Sequence, residues 1–462
     1  STLFPYTTLF RSPAGGEDVK MDGPVVVKFG GSSLANSSQF KKVKDIILKD
    51  DRRRYVVVSA PGKTCGEDTK TTDLLYIMKN LNDHNQNYEA VLKNIKDKYN
   101  EIISGIGISL DLEVEFEKII AEMKKGCSVD YIASRGEYLN ALILAKYLGM
   151  EFLDSKDMIF FDTKGKFDEE ITYAIMSNKL KNVERAVIPG FYGTTPTGKI
   201  KTFTRGGSDL TGSIVARSAN AKLYENWTDV SGFMIADPRI IENPEWIEKI
   251  TYKELRELSY MGACIMHDEA IFPVISKGIP INIKNTNRPD DKGTIIVDDE
   301  AVEGDIAKGI TGIAGRKNFT VVYIEKVKLN SDLAFFRKLL SILESHNIYL
   351  EHMPSSIDSV SLIFRDDEES PKVDEIIQEI KAVCKPDRVG YNNNISLVSV
   401  VGRGMRRKSG SAATLFTALS KEKINIRMII QGSSELNIIV GIEDKDYEKG
   451  IKSIYQEFSK DF

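Results

Sequence analysis

The chain has 462 residues, enough for several hydrophobic cores and, at roughly 100–200 residues per domain, for two to four domains. Hydrophobic residues make up 42% and charged residues 28%, the formal net charge is −4, and no run of about 18 apolar residues occurs; neither a nucleic-acid partner, an anionic membrane surface nor a transmembrane helix is indicated. The scattered cysteines (Cys65, Cys127, Cys264, Cys384) form no CxxC pair and the histidines (His84, His267, His346, His352) no zinc spacing, which predicts a reduced, cytoplasmic protein whose metal, if any, has oxygen ligands.

Residues 1–20, STLFPYTTLFRSPAGGEDVK, match nothing downstream. Their apolar part is short and the basic residue follows it, so they make a poor signal peptide. The expectation is a non-native or disordered leader, with Met21 as the natural start. Residues 25–29 (VVVKF) and 55–60 (YVVVSA) are short β-branched runs of the kind that form buried parallel strands. A helical pattern, Phe40–Lys49, lies between them, and residues 186–190 and 279–283 predict further strands. Strands alternating with helices over 21–300 predict one large α/β domain.

The character changes near residue 300, where VDDEAVEGD reads as a polar connector. A weak repeat follows. A strand at Thr320–Glu325 precedes a helix with Leu333, Phe336, Leu340 and Leu343 on one face, ending at Ser345–Ile348. A strand at Ile395–Val401 precedes a helix with Ala412, Leu415, Phe416 and Leu419 on one face, ending at Glu422–Ile426. The Asn-Ile pairs that begin at Asn347 and Asn425 are 78 residues apart. Two tandem β-α-β units, ferredoxin-like in pattern, account for this.

Four segments carry chemistry. In Lys28-Phe29-Gly30-Gly31-Ser32-Ser33, directly after a strand, the glycines let backbone amides approach a phosphate, and Lys28 can neutralise charge during transfer; a plain glycine turn has the same local signature. Gly62-Lys63-Thr64 imitates the end of a P-loop, but Val57 stands where that motif needs glycine. In Ser134-Arg135-Gly136-Glu137, Glu137 suits an α-ammonium and Arg135 an ordering contact or a carboxylate, although an exposed ion pair at a helix start reads the same way. The run Thr202–Gly212 (TFTRGGSDLTG) offers the Arg205 fork for a carboxylate, a Gly-Gly-Ser turn ahead of a helix, and Asp209 to hold Mg2+ or orient the acceptor. The last, Trp227–Phe233 (WTDVSGF) followed by Ala236–Arg239 (ADPR), suits a nucleotide: Thr228 and Asp229 near base or ribose, Phe233 for packing, Arg239 near phosphates.

Together KFGGSS, VVVSAPG, Lys70-Thr71-Thr72-Asp73, SRGEYLNA, TFTRGGSDLTG, WTDVSGF with ADPR, and Ile283–Asn287 resemble the aspartate kinases of the amino-acid kinase superfamily, from about Val25 to the C-terminus. The resemblance implies a three-layer α/β/α, carbamate kinase-like catalytic domain at 21–300. It implies two ferredoxin-like ACT domains (βαββαβ) in 301–462, the first at about 318–390 and the second at about 305–316 plus 394–462. Lys28, Asp209 and Arg205 would be catalytic. Ser59, Thr72, Glu137, Arg205 and Ser208 would bind aspartate. Lys28, Gly30, Gly31, Ser32, Thr228, Asp229, Phe233, Asp237 and Arg239 would bind ATP, supplied with Mg2+. Cys264 departs from the family pattern, where many members carry a lysine that reaches the nucleotide; the expectation is that another cation, Lys199 or Lys201, substitutes or that nucleotide affinity is weaker. The tail is expected to sense lysine or threonine through Leu350, Glu351 and Ser356 and to join chains into a homodimer or homotetramer. A kinase for another small acceptor and a non-catalytic amino-acid-binding regulator are the competing readings.

Overall fold

The computed structural model describes residues 23–64, 66, 68–204, 206–263, 266, 270–302, 309–365 and 373–461. The leader, Cys65, Arg205 and Cys264 lie outside them.

The first half alternates strand and helix. β1 (Val25–Phe29), α1 (Ser37–Leu48) and β2 (Arg53–Val58) open it; four helices follow, α2 (Thr71–Asp83), α3 (Glu89–Ile106), α4 (Glu113–Lys124) and α5 (Val129–Leu148). Next come β3 (Glu151–Phe152), α6 (Glu169–Lys181), β4 (Ala186–Pro189), a hairpin of β5 (Tyr192–Thr194) and β6 (Ile200–Thr202), α7 (Gly207–Ser218) and β7 (Leu223–Thr228). β8 (Lys249–Thr251), α8 (Tyr252–Tyr260), α9 (Phe272–Ile275), β9 (Ile281–Asn285) and β10 (Thr294–Val297) complete it. Eight of these strands form one sheet in the order β3-β4-β2-β1-β7-β9-β10-β8. Every pairing is parallel except β9 with β10.

The valine runs follow from burial on both faces. Val25, Val27, Phe29, Val56 and Val58 pack with α1–α5, whereas Val26, Val57 and Ile188 pack with α6 and α7. The result is the expected three-layer α/β/α arrangement. Side chains fix several helix starts: Asn36 caps α1, Ser128 caps α5, and Thr251 with Glu254 forms a capping box on α8.

The second half is β11 (Gly312–Glu325), α10 (Leu333–Ser345), β12 (Ser359–Arg365), α11 (Val373–Cys384), β13 (Arg388–Val401), α12 (Ser411–Lys421), β14 (Met428–Ile430), β15 (Asn437–Glu443) and α13 (Tyr447–Phe458). These strands make one antiparallel sheet, β12-β11-β13-β15-β14. Helices α10 and α11 cover one end of it and α12 and α13 the other, each pair with its own apolar cluster.

Three expectations change here. The expected strand at 320–325 and part of the 305–316 segment assigned to the second unit form one strand: β11 runs through 14 residues, its start paired with Val401 and its end with Arg388, so both long strands cross both ends of the sheet. The buried stripe of α10 is Phe335, Leu339, Ile342 and Leu343, while Leu333 and Leu340 are exposed. LAFFRKLLSILES holds two stripes of helical period, and only the sheet beneath selects one. The repeat also has a different register. Left-handed residues end the helices at Asn347 (φ 54°) and Lys423 (φ 58°), 76 residues apart, and the isoleucine after each packs inward; the second Asn-Ile pair lies beyond the turn.

Candidate active site

The C-terminal ends of β1, β2, β4 and β7 converge on the N-terminus of α7, the edge of a parallel sheet where ligands bind. Lys28 on β1 and Asn226 on β7 are register partners, and strand alternation turns both toward α7. Lys28 Nζ lies 2.5 Å from Asp209 Oδ1. Asn226 Nδ2 donates to the same oxygen at 2.8 Å, and the Tyr224 hydroxyl donates to the Asp209 carbonyl at 3.1 Å. Asn226 is 4% exposed and its Oδ1 has no partner. No feature of the motif strings marks Asn226; the only signal is a polar Glu-Asn pair inside a central strand.

The glycine loop sits against this group. Gly30 N–H donates to Trp227 O at 3.0 Å, which pins the loop to the end of β7, and Ser32–Leu34 form a single 3-10 turn. Gly62 N–H donates to Gly31 O at 2.8 Å. A Cβ on Gly62 would lie 2.6 Å from the Gly31 carbonyl carbon, so any other residue would part the two loops. The glycine of the P-loop look-alike thus has a packing role, next to the Gly30–Ser33 loop.

Ser59 follows β2, its N–H bonded to Phe29 O and its carbonyl accepting from Asn140 Nδ2 at 2.7 Å. Thr72 lies in the first turn of α2, half-buried. Arg135 and Glu137 are not at a helix start: they lie inside α5, both buried. Arg135 is enclosed by the rings of Tyr131, Tyr138 and Tyr192, at 4.7, 4.5 and 5.2 Å, and donates to Ser134 Oγ. It therefore acts as a structural cation within the helix layer. Among the described residues Glu137 has no ion-pair partner within 4 Å. Burial pushes its pKa up to about 8, against the opposing pull of the Ala60 N–H, its own N–H and the Arg135 charge. Its Oε2 has no partner. Ser208, in the first turn of α7, is packed so tightly on Gly190 that a Cβ there would meet its Oγ at 2.7 Å.

The nucleotide candidates gather elsewhere on the same edge. Asp229, Phe233, Asp237 and Arg239 line one cavity of about 670 Å³, within the range of small-ligand sites, together with Trp246 and Met261. Thr228 ends β7 just before them, its hydroxyl donating to Asp229 Oδ1 at 3.0 Å. Phe233 is 2% exposed and belongs to the core as much as to the cavity. The Arg239 guanidinium grips Asp237 through Nε and Nη2 and holds its carboxyl below the usual range, while staying largely exposed. Gly262 and Ala263 line this cavity, and Met266 Sδ accepts from Asn226 Nδ2 at 3.2 Å. Neither expected substitute for a lysine at 264 lines the cavity: Lys201 is 3.1 Å from Asp130, and Lys199 is exposed in the β5–β6 turn. Among the described residues no group of three or more His, Cys, Asp or Glu could hold a metal ion, and no helix is long and apolar enough to cross a membrane.

The expected effector residues make separate contacts within the chain. Leu350 packs on the α10–α11 cluster, Ser356 N–H closes a turn onto Ser359, and the Glu351 carboxylate accepts a hydrogen bond from Tyr260 at the end of α8. Glu351 thus links the two halves of the molecule.

Residues 23–285 match the profile of the amino acid kinase family, and residues 398–458 match that of an ACT domain. The chain is 36% identical to aspartokinase 3 of Bacillus subtilis over 449 residues, covering 94% of this chain and 98% of the relative. Its fold superposes on the crystal structure of Clostridium acetobutylicum aspartate kinase, described as an allosteric enzyme, with a TM-score of 0.88 and 55% identity over 94% of this chain and all of the other. Aspartokinase III of E. coli, solved with aspartate and ADP, shares the fold at a TM-score of 0.71 and 23% identity, over 94% of this chain and 99% of that one.

Proposed function

The chain belongs to the amino acid kinase family, in its aspartokinase branch, and from that premise we propose that it transfers the γ-phosphoryl group of Mg·ATP to the side-chain carboxylate of L-aspartate, giving 4-phospho-L-aspartate and ADP. The observation that carries this reading is the Lys28–Asp209–Asn226 group beside the Gly30–Ser33 loop, with the cation-seeking Glu137 at the same edge.

Phosphoryl transfer asks for positioning and charge neutralisation more than for covalent help. The acceptor carboxylate is an anion at neutral pH, with a reference pKa of about 3.9, so no general base is needed. One carboxylate oxygen attacks the γ-phosphorus in line, the bond to the β,γ-bridging oxygen breaks, and ADP leaves with that electron pair. Lys28, held by Asp209, neutralises charge between donor and acceptor; the Gly30–Gly31–Ser32 backbone faces the phosphates; Asn226 fixes the Asp209 carboxylate. Mg2+ would be held by the phosphate oxygens of the nucleotide, since no group of three or more His, Cys, Asp or Glu among the described residues could hold it, and would supply charge neutralisation there. Glu137 takes the substrate ammonium, Ser59, Thr72 and Ser208 border the acceptor, and Arg205, outside the described residues, is assigned its carboxylate. Thr228, Asp229, Phe233, Asp237 and Arg239 hold the nucleotide, the last four as lining of one cavity.

The region 301–462 is read as two ACT units that sense an end-product amino acid, lysine or threonine, and join chains into a dimer or tetramer; the enzyme then works in the cytoplasm at the head of the corresponding biosynthesis. The ACT match and the two-ended sheet support this. An ADP-release assay with aspartate, with glutamate as the competing acceptor, and with lysine and threonine added singly and together tests both parts. Turnover on glutamate alone would sink the acceptor assignment, and no response to either amino acid would sink the sensor.

A further inference from the structure

The cavity lined by Asp229, Phe233, Asp237 and Arg239 is not built by the α/β region alone. Its far wall is Ile313, Ala314 and Gly315 of β11, with Tyr447 and Ile451 of α13. A second cavity of about 600 Å³ shares Asp237, Arg239, Gly262, Gly315 and Tyr447 with it and extends the space to Arg316, Lys317 and Arg365. Around this space Arg239 pairs with Asp237, Lys317 lies 3.5 Å from Glu448, and Arg316 Nη2 donates to Ser259 O at 3.4 Å.

The wall is held in place by specific bonds. Ile313 N–H donates to Ile235 O at 2.6 Å, Glu245 N–H donates to the Tyr455 hydroxyl at 3.1 Å, and the Tyr447 hydroxyl donates to Gly315 O at 2.7 Å. Gly315 serves this contact: a Cβ there would sit 2.8 Å from a Tyr447 ring carbon and 2.8 Å from Leu397 O. Lys317 Nζ lies 5.0 Å from the Tyr447 ring centre, and Arg316 Nε would be 3.1 Å from a Cβ on Gly262. The second half of the chain therefore places one aromatic wall and one guanidinium against the Gly262–Ala263 side of the cavity.

We propose that the C-terminal region completes the nucleotide site, with Tyr447 and Arg316 as positioning residues, so that a nucleoside triphosphate binds across both halves of the molecule. The proposal rests on reading this cavity as the nucleotide site. Its consequence is reciprocal: nucleotide stabilises the docked arrangement of β11 and α13, and any ligand or substitution that shifts them lowers nucleotide affinity by the same free energy.

The test uses the full-length protein, calorimetric titration with ADP, and steady-state kinetics. Losing one charge-assisted contact predicts that Arg316→Ala raises the KM for ATP and the ADP dissociation constant about five- to tenfold, leaves the KM for aspartate within about twofold, and is largely rescued by Arg316→Lys. Tyr447→Leu weakens ADP in the same sense, and ADP no longer slows hydrogen exchange in β11 and α13. Asp229→Ala and Arg239→Ala are the reference pair from the α/β half. If they weaken ADP while Arg316→Ala and Tyr447→Leu do not, the contribution of the C-terminal region is refuted and the nucleotide reading stands. If none of the four changes ADP affinity, the reading of the cavity fails and the proposal with it.

Discussion

Strands β1, β2 and β7 carry two buried charged clusters within a few residues of each other. In one, Arg53 donates from Nε and Nη2 to the two oxygens of Glu225 at 2.8 and 3.0 Å and from Nη1 to Ile46 O, while Trp227 Nε1 donates to Glu225 at 2.8 Å. All three guanidinium nitrogens and both carboxylate oxygens are used. In the other, Lys28 meets Asp209, yet Asn226 Oδ1 and nearby Glu137 Oε2 are buried without partners. The residue types are alike. What differs is saturation: a closed cluster holds the sheet together, and an open one keeps the capacity to receive a charged ligand.

Substitutions can break or sharpen this contrast. The largest effect is expected for Arg53→Ala, which leaves Glu225 buried and uncompensated and costs about 3–5 kcal/mol of stability by denaturant titration, with turnover of the folded fraction little changed. Lys28→Ala should do the reverse, lowering kcat about 100- to 1,000-fold while the thermal midpoint moves little. If Lys28→Ala unfolded the protein and Arg53→Ala abolished turnover, the two clusters would have been assigned the wrong way round. Glu137→Gln should raise the KM for aspartate about tenfold or more and leave the KM for ATP unchanged.

The pH dependence of Glu137 is smaller and has a definite sign. Its carboxyl titrates at about 8 in the folded protein and at the ordinary 4.5 when exposed, so the folded state holds the extra proton between those values. Its contribution to stability is full below pH 4.5, falls as pH rises toward 8 and is then constant. A thermal-melt series over this range should be flatter for Glu137→Gln. Aspartate affinity should move the other way, rising as pH approaches 8, because only the ionised carboxylate pairs with an ammonium. The smallest effect is expected for Tyr260→Phe, below about 1 kcal/mol in stability, since it removes one exposed hydrogen bond to Glu351; a change in response to the effector would reveal that contact as part of the signal.

Much of this was legible from local pattern. Valine runs mark strands buried on both faces, and KFGG, SRGE and TRGGSD in order identify the family and name candidates for its site. Three things were not legible, each because they depend on what lies across space. Asn226 carries no motif; its role follows from sharing a register with Lys28. Arg135 and Glu137 look like a surface ion pair, but the α5 layer buries both, encloses one in tyrosines and leaves the other without an ion-pair partner among the described residues. The buried stripe of α10 was ambiguous until the sheet chose Phe335 and Leu339 over Leu333 and Leu340.

The sequence by itself determined the elements, the family and the chemistry on offer, because helix period, strand burial and glycine turns are local properties of the chain. Tertiary structure alone decided which charges were left open and which were closed. It also made β11 one strand through both ends of the second sheet, brought Arg316 to the edge of the cavity, and set Tyr447 beside Asp229 and Arg239, some 200 positions earlier in the chain. Those outcomes depend on register and packing between distant segments, which no local pattern encodes.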